Sequence, residues 1–296
     1  MKVLPVLVNP TSRGGRSQPP RAELECAAAS RGLVLEWWPT VAPGHATELA
    51  ERAARDGFPA VAVWGGDGTY NEAARGLLNS DTAMLILPGG STSVLAYELG
   101  VSRDPVQALT TQLDAGPRAM SIARTDHGQV FLLMLSVGPD ARILLRTPSW
   151  LKRRLGKLGI GWQSLVEFLK GNLPRFEVSM DGEVSEVAWC IAGNSRTYAG
   201  PYRATPGADP FSPGLEVVTL HRHGRTRAVP FFFAIFLERH LRLRGVKRHS
   251  TLSLELRGPE TIPYQLDGDH AGFLPVRAFS TDDRVIVLPP VHPGSR

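Results

Sequence analysis

The chain has 296 residues, of which 43% are hydrophobic and 21% are charged, and its formal net charge is +5. This composition is typical of a globular protein and excludes a disordered or collagen-like chain. The apolar runs are shorter than the ~20 residues of a membrane-spanning helix, and the first residues do not match a secretory signal peptide. The two cysteines, Cys26 and Cys190, exclude a disulfide scaffold or Cys-rich zinc module and favour a reducing cytoplasm.

The charge is distributed unevenly along the chain. Residues 1–117 contain 9 Lys and Arg and 12 Asp and Glu, a net charge of −3, whereas residues 118–296 contain 24 and 16, a net charge of +8. We therefore predict two domains, 1–117 and 118–296, with the last residues able to pack back on the first domain. The basic second domain suggests nucleic acid or an anionic membrane as a partner.

In residues 1–117, short apolar runs alternate with amphipathic helical patterns. The runs predicted to be buried strands are Val3–Val8, Val34–Trp38, Ala60–Trp64 and Met84–Leu87. The predicted helices are Arg21–Arg31, a stretch around Ala46–Ala53, Tyr70–Leu78 and Val106–Leu113, the last with Asp104 and Pro105 as cap and first turn. This alternation predicts an α/β domain whose parallel sheet binds ligands beyond the carboxyl ends of its strands.

After residue 117, strand-like runs follow one another with turn residues between them. They are Ala119–Arg124, Val130–Val137, Phe176–Met180, Val187–Ala192, Leu215–His221, Leu252–Leu256, Ile262–Leu266 and Arg284–Leu288. Only two stretches, Trp150–Lys170 and Pro230–Arg244, have a helical pattern. The pattern predicts a β-rich domain of sandwich or barrel type.

Three loops combine glycines with hydroxyl and amide side chains directly after predicted strands. They are Asn9–Arg16, Gly65–Glu72 and Pro88–Ser93. The second and third open helices, whose unpaired N–H groups and dipole favour phosphate. Neither loop has the Gly-Lys-Ser/Thr of a Walker loop or the Gly-x-Gly-x-x-Gly of a dinucleotide fold, so a nucleotide would be held differently.

The motif Gly65-Gly66-Asp67-Gly68-Thr69-Tyr70-Asn71-Glu72 resembles the signature of the diacylglycerol kinase, sphingosine kinase and YegS-like lipid kinase family, which is related to the NAD kinases. Other segments occur in the order and spacing of that family: Asn9-Pro10, Thr40 with Pro43–Ala46, Pro88–Ser91, Gly138–Ala141, Gly193-Asn194 and Leu266–Asp269. The resemblance implies an α/β, NAD kinase-like N-terminal domain and a β-sandwich C-terminal domain, with ATP and Mg²⁺ as cofactors.

The resemblance also implies roles for individual residues. The positions that match nucleotide-binding residues are Asn9, Thr11, Thr40, Gly65, Gly66, Asp67, Gly68, Thr69, Tyr70, Asn71, Glu72, Gly90 and Ser91. Asp67 would also contact the catalytic magnesium or the substrate hydroxyl. Asp269 is the first choice for the base that takes the hydroxyl proton, and Asp267 is the second. Apart from the resemblance, Asp267-Gly268-Asp269 is typical of a β-hairpin turn.

The chain departs from the family pattern at three places. Ser93-Val94 replaces an Asn-Asp pair, and Asp269 replaces a glutamate that is one methylene longer. Pro213 stands in Ser212–Leu215, where some members have the aspartate of a structural magnesium site, although Asp209 is nearby. These departures leave open a nucleotide-binding sensor that has lost transfer activity.

Basic residues surround aromatic residues in two parts of the second domain. One group lies between Arg142 and Lys157 around Trp150, and the other lies between Arg222 and Arg248 around Phe231–Phe233 and Phe236. These groups fit either a peripheral anionic membrane surface or an apolar core with a solvated rim. No nucleic-acid-binding module is recognisable, and the histidines lack metal-ligand spacing.

We therefore expect a cytoplasmic, peripherally membrane-associated, ATP-dependent kinase of a diacylglycerol-like or sphingoid lipid, with a homodimer as a possible assembly. The alternatives are the sensor and a soluble-substrate kinase closer to NAD kinase. A deep apolar pocket in the second domain would distinguish a lipid kinase from a NAD kinase.

Overall fold

The computed structural model describes residues 2–15, 18–90, 92–146, 173–221 and 225–290. They fall into two compact units: residues up to 121 together with those from 283 onwards, and residues 122–282. The predicted helix Trp150–Lys170, most of the first basic group and Ser91 lie outside the described residues.

Four parallel strands form the centre of the first unit. They are β1 (Lys2–Val8), β2 (Leu33–Pro39), β3 (Ala60–Gly65) and β4 (Ala83–Pro88), in the order β2-β1-β3-β4. All six residues of β4 are buried, as a strand covered on both faces requires. The prediction of an α/β domain with a parallel sheet is confirmed.

Five helices accompany this sheet: α1 (Arg21–Ala29), α2 (His45–Arg55), α3 (Asp67–Gly76), α4 (Val94–Glu98) and α5 (Pro105–Leu113). On α2 the alanines Ala46, Ala50 and Ala53 form the buried stripe. The Asp104 carboxylate accepts the Gln107 N–H at 2.7 Å and caps α5 as expected. The buried amide of Gln112 then bonds both backbone groups of Ile86, at 2.7 and 2.8 Å, which joins α5 to β4.

The second unit contains two groups of antiparallel strands. The strands in chain order are β5 (Arg118–Thr125), β6 (Val130–Phe131), β7 (Met134–Val137), β8 (Phe176–Met180), β9 (Glu183–Val187), β10 (Trp189–Gly193), β11 (Leu215–Leu220), β12 (Val246–Thr251), β13 (Ser253–Arg257), β14 (Pro263–Leu266), β15 (Asp269–Phe273) and β16 (Val276–Val287). One sheet has the order β12-β11-β10-β7-β14-β15, and the other contains β16-β13-β8-β9. Leu135 and Val217 of the first sheet share a buried core with Val178 and Leu256 of the second, so the predicted β-sandwich is confirmed.

Strands β5 and β16 each cross the boundary between the units. The end of β16 pairs with the first unit's sheet, where Val287 lies beside Met84 of β4.

Two α-helices of the second unit are described, α6 (Pro139–Arg146) and α7 (Arg225–Phe236). The predicted bounds of α7, Pro230–Arg244, were wrong because Pro230 lies inside the helix. The helix ends at Phe236 since Glu238 has left-handed backbone (φ +52°) and the Arg239 N–H returns to the Ala234 carbonyl at 2.8 Å. No helix in the described ranges is long and apolar enough to cross a bilayer.

Gly76 provides a test of the packing between α2 and α3. A Cβ at Gly76 would collide with the Thr47 carbonyl oxygen and lie 2.9 Å from the Ala50 Cβ. We expect Gly76→Ala to lower the free energy of unfolding by about 1–3 kcal/mol, measured by urea denaturation. Gly116→Ala is the control, because a Cβ there meets nothing within 4 Å. Equal stability of the two variants would contradict this packing.

Candidate functional site

Four loops of the first unit meet at the carboxyl edge of its parallel sheet. The register pairs Val8 with both Pro39 and Trp64, and Gly65 with Pro88, so these strands end at the same level. Strand order reverses between β1 and β3, and a reversal of this kind is where open α/β sheets bind ligands. The sequence-predicted loops therefore lie at the position that the fold class favours for a ligand.

Asn9 connects the loops on the two sides of this reversal. Its side-chain N–H donates to the Thr69 hydroxyl at 2.9 Å, and its Oδ1 accepts the backbone N–H and hydroxyl of Thr11 at 2.9 and 2.8 Å. Thr40 lies beside this network, since its backbone N–H donates to the Val8 carbonyl at 2.8 Å. The structure thus brings together four of the predicted nucleotide-binding residues.

The two glycine turns touch one another. The Gly65 carbonyl accepts the N–H groups of Gly89 and Gly90, at 2.9 and 2.7 Å, and the Tyr70 hydroxyl at 2.8 Å. A Cβ on Gly90 would lie 2.7 Å from the Gly66 Cα, and one on Gly65 would lie 2.6 Å from the Thr69 Cβ. Glycine is therefore required at 65 and 90, and the surface of the turns consists of backbone, as close approach to a phosphate demands.

Of the predicted nucleotide-binding side chains on α3, Tyr70 and Glu72 contact residues outside the helix, and Asn71 contacts a residue within it. Tyr70 is completely buried, and burial raises the pKa of its hydroxyl well above the usual value. Asn71 accepts the Arg75 Nε–H at 2.8 Å, and the Glu72 carboxylate accepts the Ala46 N–H at 3.4 Å. We assign Tyr70 and Glu72 a positioning role, because their contacts reach beyond the helix, and Gly68 lies in the first turn of α3.

The Asp67 carboxylate caps helix α4. Its Oδ2 accepts the Val94 N–H and its Oδ1 accepts the Leu95 N–H, both at 2.9 Å. The role of Asp67 at magnesium stays a prediction.

In the second unit, Asp267 and Gly268 form the turn of a two-residue hairpin. Both have positive φ, +51° and +92°, and Leu266 pairs with Asp269 across the turn. This geometry is a type I′ turn. Asp269 is therefore the exposed first residue of β15.

The two candidate bases, Asp267 and Asp269, have different surroundings. The Asp267 carboxylate accepts the backbone N–H groups of Leu132, Leu133 and Met134 at 2.8, 2.8 and 3.0 Å. These three residues form the Leu132–Met134 link, which leads from β6 into β7. The Asn194 side chain also contacts this link, because it donates to the Leu132 carbonyl at 3.0 Å. Because three backbone N–H groups occupy the Asp267 carboxylate, Asp267 positions the turn, and the exposed Asp269 is the better candidate for the base.

Asp140, which the sequence placed in a motif without a role, is buried. It accepts the Tyr198 hydroxyl at 3.0 Å, and burial raises the pKa of both groups above their usual values. The available signal for a buried carboxylate was an acidic residue three positions after the apolar β7, in the first turn of α6.

The residues around Leu215 do not fit the structural magnesium that the resemblance suggested. Asp209 accepts the Phe211 N–H and the Ser212 hydroxyl at 3.1 and 3.0 Å. The buried Glu216 accepts the N–H groups of Gly207 and Ala208 at 2.6 and 3.2 Å, and its other oxygen pairs with Arg248. Within the described ranges no group of three or more His, Cys, Asp or Glu could hold a metal. Arg248 supplies the positive charge at this place.

Because Arg248 pairs with Glu216, we expect the fold to be stable without a divalent metal. In the nucleotide-free protein, EDTA should leave the melting temperature unchanged relative to Mg²⁺. Arg248→Ala should lower the free energy of unfolding by about 1–3 kcal/mol, because Glu216 would stay buried without its cation. Arg257→Ala, which removes an exposed pair with Glu255, should cost less than about 1 kcal/mol. A melting temperature lowered by EDTA would contradict the assignment.

Comparison with known proteins agrees with this geometry. Residues 3–125 match the diacylglycerol kinase catalytic domain, and residues 134–292 match the YegS C-terminal NAD kinase β-sandwich-like domain. A Bacillus subtilis diacylglycerol kinase is 24% identical over 93% of this chain and 92% of its own length. A YegS-like lipid kinase of Chromohalobacter salexigens is 34% identical over 61% of this chain and 59% of its own.

Solved structures show the same fold. A Bacillus anthracis protein described as a diacylglycerol kinase superposes with a TM-score of 0.80 at 20% identity, over 100% of this chain and 96% of its own. The two domain matches lie in the order and at the places that the loops and the sandwich occupy in the structure. The chain belongs to the diacylglycerol kinase and YegS-like lipid kinase family, whose members are phosphotransferases that act on an alcohol group.

Proposed function

We propose that this protein transfers the γ-phosphoryl group of ATP to a hydroxyl of a diacylglycerol-like or sphingoid lipid. The observation that carries the proposal is the pair of glycine turns, joined through the Gly65 carbonyl, at the carboxyl edge of the sheet. Relatives named diacylglycerol kinase and lipid kinase support the lipid. A lipid of this kind resides in a membrane, so the proposal includes peripheral association of a cytoplasmic protein with an anionic bilayer.

The first unit would bind the nucleotide. The first N–H groups of a helix lack partners within it, and those of α3 emerge next to Gly66 at the carboxyl edge. The Asn9, Thr11, Thr40 and Thr69 side chains would add amide and hydroxyl contacts around the phosphates. When bound, Mg²⁺ would neutralise phosphate charge, and Asp67 is its candidate ligand.

The second unit would supply the base. Asp269 would take the proton of the lipid hydroxyl while that oxygen forms a bond to the γ-phosphorus. The bond between the γ-phosphorus and the bridging oxygen breaks, and ADP leaves. Asp267 holds the turn on which Asp269 lies, through its three N–H bonds to the Leu132–Met134 link.

Gly66→Asp tests the nucleotide site. A Cβ at Gly66 lies 3.5 Å from the Gly90 Cα, an ordinary contact, so the variant should fold. Its carboxylate would repel the phosphates, and we expect ATP affinity to fall at least about tenfold in calorimetry. Gly66→Ala is the control and should bind ATP more tightly than Gly66→Asp. Unchanged affinity in Gly66→Asp would remove the turn from the phosphate site.

Asp269→Asn tests the base. With labelled ATP and a panel of lipids in mixed micelles, we expect phosphorylated lipid to form at least about 100-fold more slowly, while ATP affinity and melting temperature stay unchanged. Asp267→Asn is the comparison and should lower the melting temperature, because the amide cannot satisfy all three N–H donors.

Two results would contradict the proposal. Wild-type protein that binds ATP but phosphorylates no lipid would favour the sensor, or, if a soluble acceptor is phosphorylated, a NAD kinase-like enzyme. Lipid product that forms at the wild-type rate in Asp269→Asn would remove Asp269 as the base.

A further inference from the structure

We infer that helix α7 and the segment after it dock on the surface of an anionic bilayer. We name this surface the α7 face and define it by Phe233, Leu237, Arg239, Arg242 and Arg244. The inference rests on the proposed function only in that a membrane-borne substrate gives the docking a purpose. Membrane binding itself can be measured without any phosphoryl transfer.

The structure sorts the apolar residues of α7 into two classes. Phe231 and Ile235 are completely buried, and the Phe231 ring lies against the Trp189 indole with their centroids 5.1 Å apart. Phe233 is 57% exposed and Leu237 is 67% exposed. Residues four apart lie on the same face of a helix. The core thus uses one side of α7, and a second apolar pair is directed to solvent.

Three arginines follow this exposed pair in the sequence. The left-handed backbone at Glu238 follows the end of the helix, and Arg239 comes next, with its N–H bonded to the Ala234 carbonyl at 2.8 Å. Arg239, Arg242 and Arg244 are all exposed. Residues 225–250 contain seven Lys and Arg but a single acidic residue, Glu238, a net charge of +6. This stretch therefore supplies most of the net charge of +8 carried by residues 118–296.

An anionic bilayer fits both the apolar residues and the arginines of the α7 face better than a second copy of the chain or a nucleic acid does. Exposed Phe and Leu can enter the headgroup and acyl boundary while arginines pair with anionic headgroups. A two-fold dimer through the same face would bring the arginines of one copy against those of the other. Nucleic acid would use the arginines, but an aliphatic Leu237 offers no base stacking.

The test is flotation with vesicles, in the absence of ATP. Vesicles of equal parts phosphatidylcholine and phosphatidylglycerol should bind the wild-type protein, and pure phosphatidylcholine vesicles should bind it weakly. The double variant Phe233→Asp, Leu237→Asp should bind the anionic vesicles at least about tenfold more weakly. Val184→Asp is the matched control, because Val184 is also an exposed apolar residue, at 62%, but lies on β9.

A second pair of variants tests how much the arginines contribute to vesicle binding. Arg242→Glu with Arg244→Glu should weaken binding at least about tenfold and reduce its salt dependence. Lys2→Glu with Arg55→Glu makes the same change of charge at exposed positions of the first unit and should have a much smaller effect. Melting temperatures equal to wild type establish that each variant folds.

Three results would overturn the inference. They are anionic-vesicle binding that survives both α7-face variants, a concentration-dependent dimer that the variants abolish, and DNA or RNA binding that exceeds vesicle binding. The proposed function fails separately, when lipid in detergent micelles is not phosphorylated although the vesicles are bound.

Discussion

One carbonyl oxygen, that of Gly65, organises the candidate nucleotide site. It accepts two N–H groups from the turn after β4 and the hydroxyl of Tyr70, and so fixes the turns after β3 and β4 in contact. Contact between the turns excludes a side chain at Gly90, and the Thr69 side chain excludes one at Gly65. It also places the start of α3 beside the Asn9 network. The Gly65 carbonyl therefore joins the two turns to each other and to the buried Tyr70.

Several carboxylates of this chain accept hydrogen bonds from backbone N–H groups. Asp67 caps α4, Asp267 accepts three N–H groups of the Leu132–Met134 link, and Glu216 accepts two from the Gly207–Ala208 turn. Each bond satisfies amide groups that would otherwise be unpaired where the chain changes direction. Among the candidate catalytic acids, Asp269 remains as the exposed one, because its neighbour Asp267 holds the turn.

Local patterns predicted the parts of the structure that depend on local sequence. Apolar runs identified β1 to β4, and glycines after strands identified the loops of the candidate site. Side-chain contacts across long separations were beyond such patterns: Asp67 with α4, Asp267 with the link before β7, and Glu216 with Arg248. The end of α7 was missed because the backbone turns left-handed at Glu238. A left-handed residue is usually a glycine, so the sequence gives no sign of this turn. The same helical pattern could not tell the buried Phe231 from the exposed Phe233.

In the proposed function, backbone groups at the start of α3 hold the phosphates of ATP. Amide hydrogen exchange, measured with and without a non-hydrolysable ATP analogue and Mg²⁺, tests this most directly. We expect slower exchange for the amides of Gly66 to Thr69 when the analogue is bound, because these N–H groups would then donate to phosphate oxygens. Unchanged exchange there, with protection confined to other segments under saturating analogue, would contradict it.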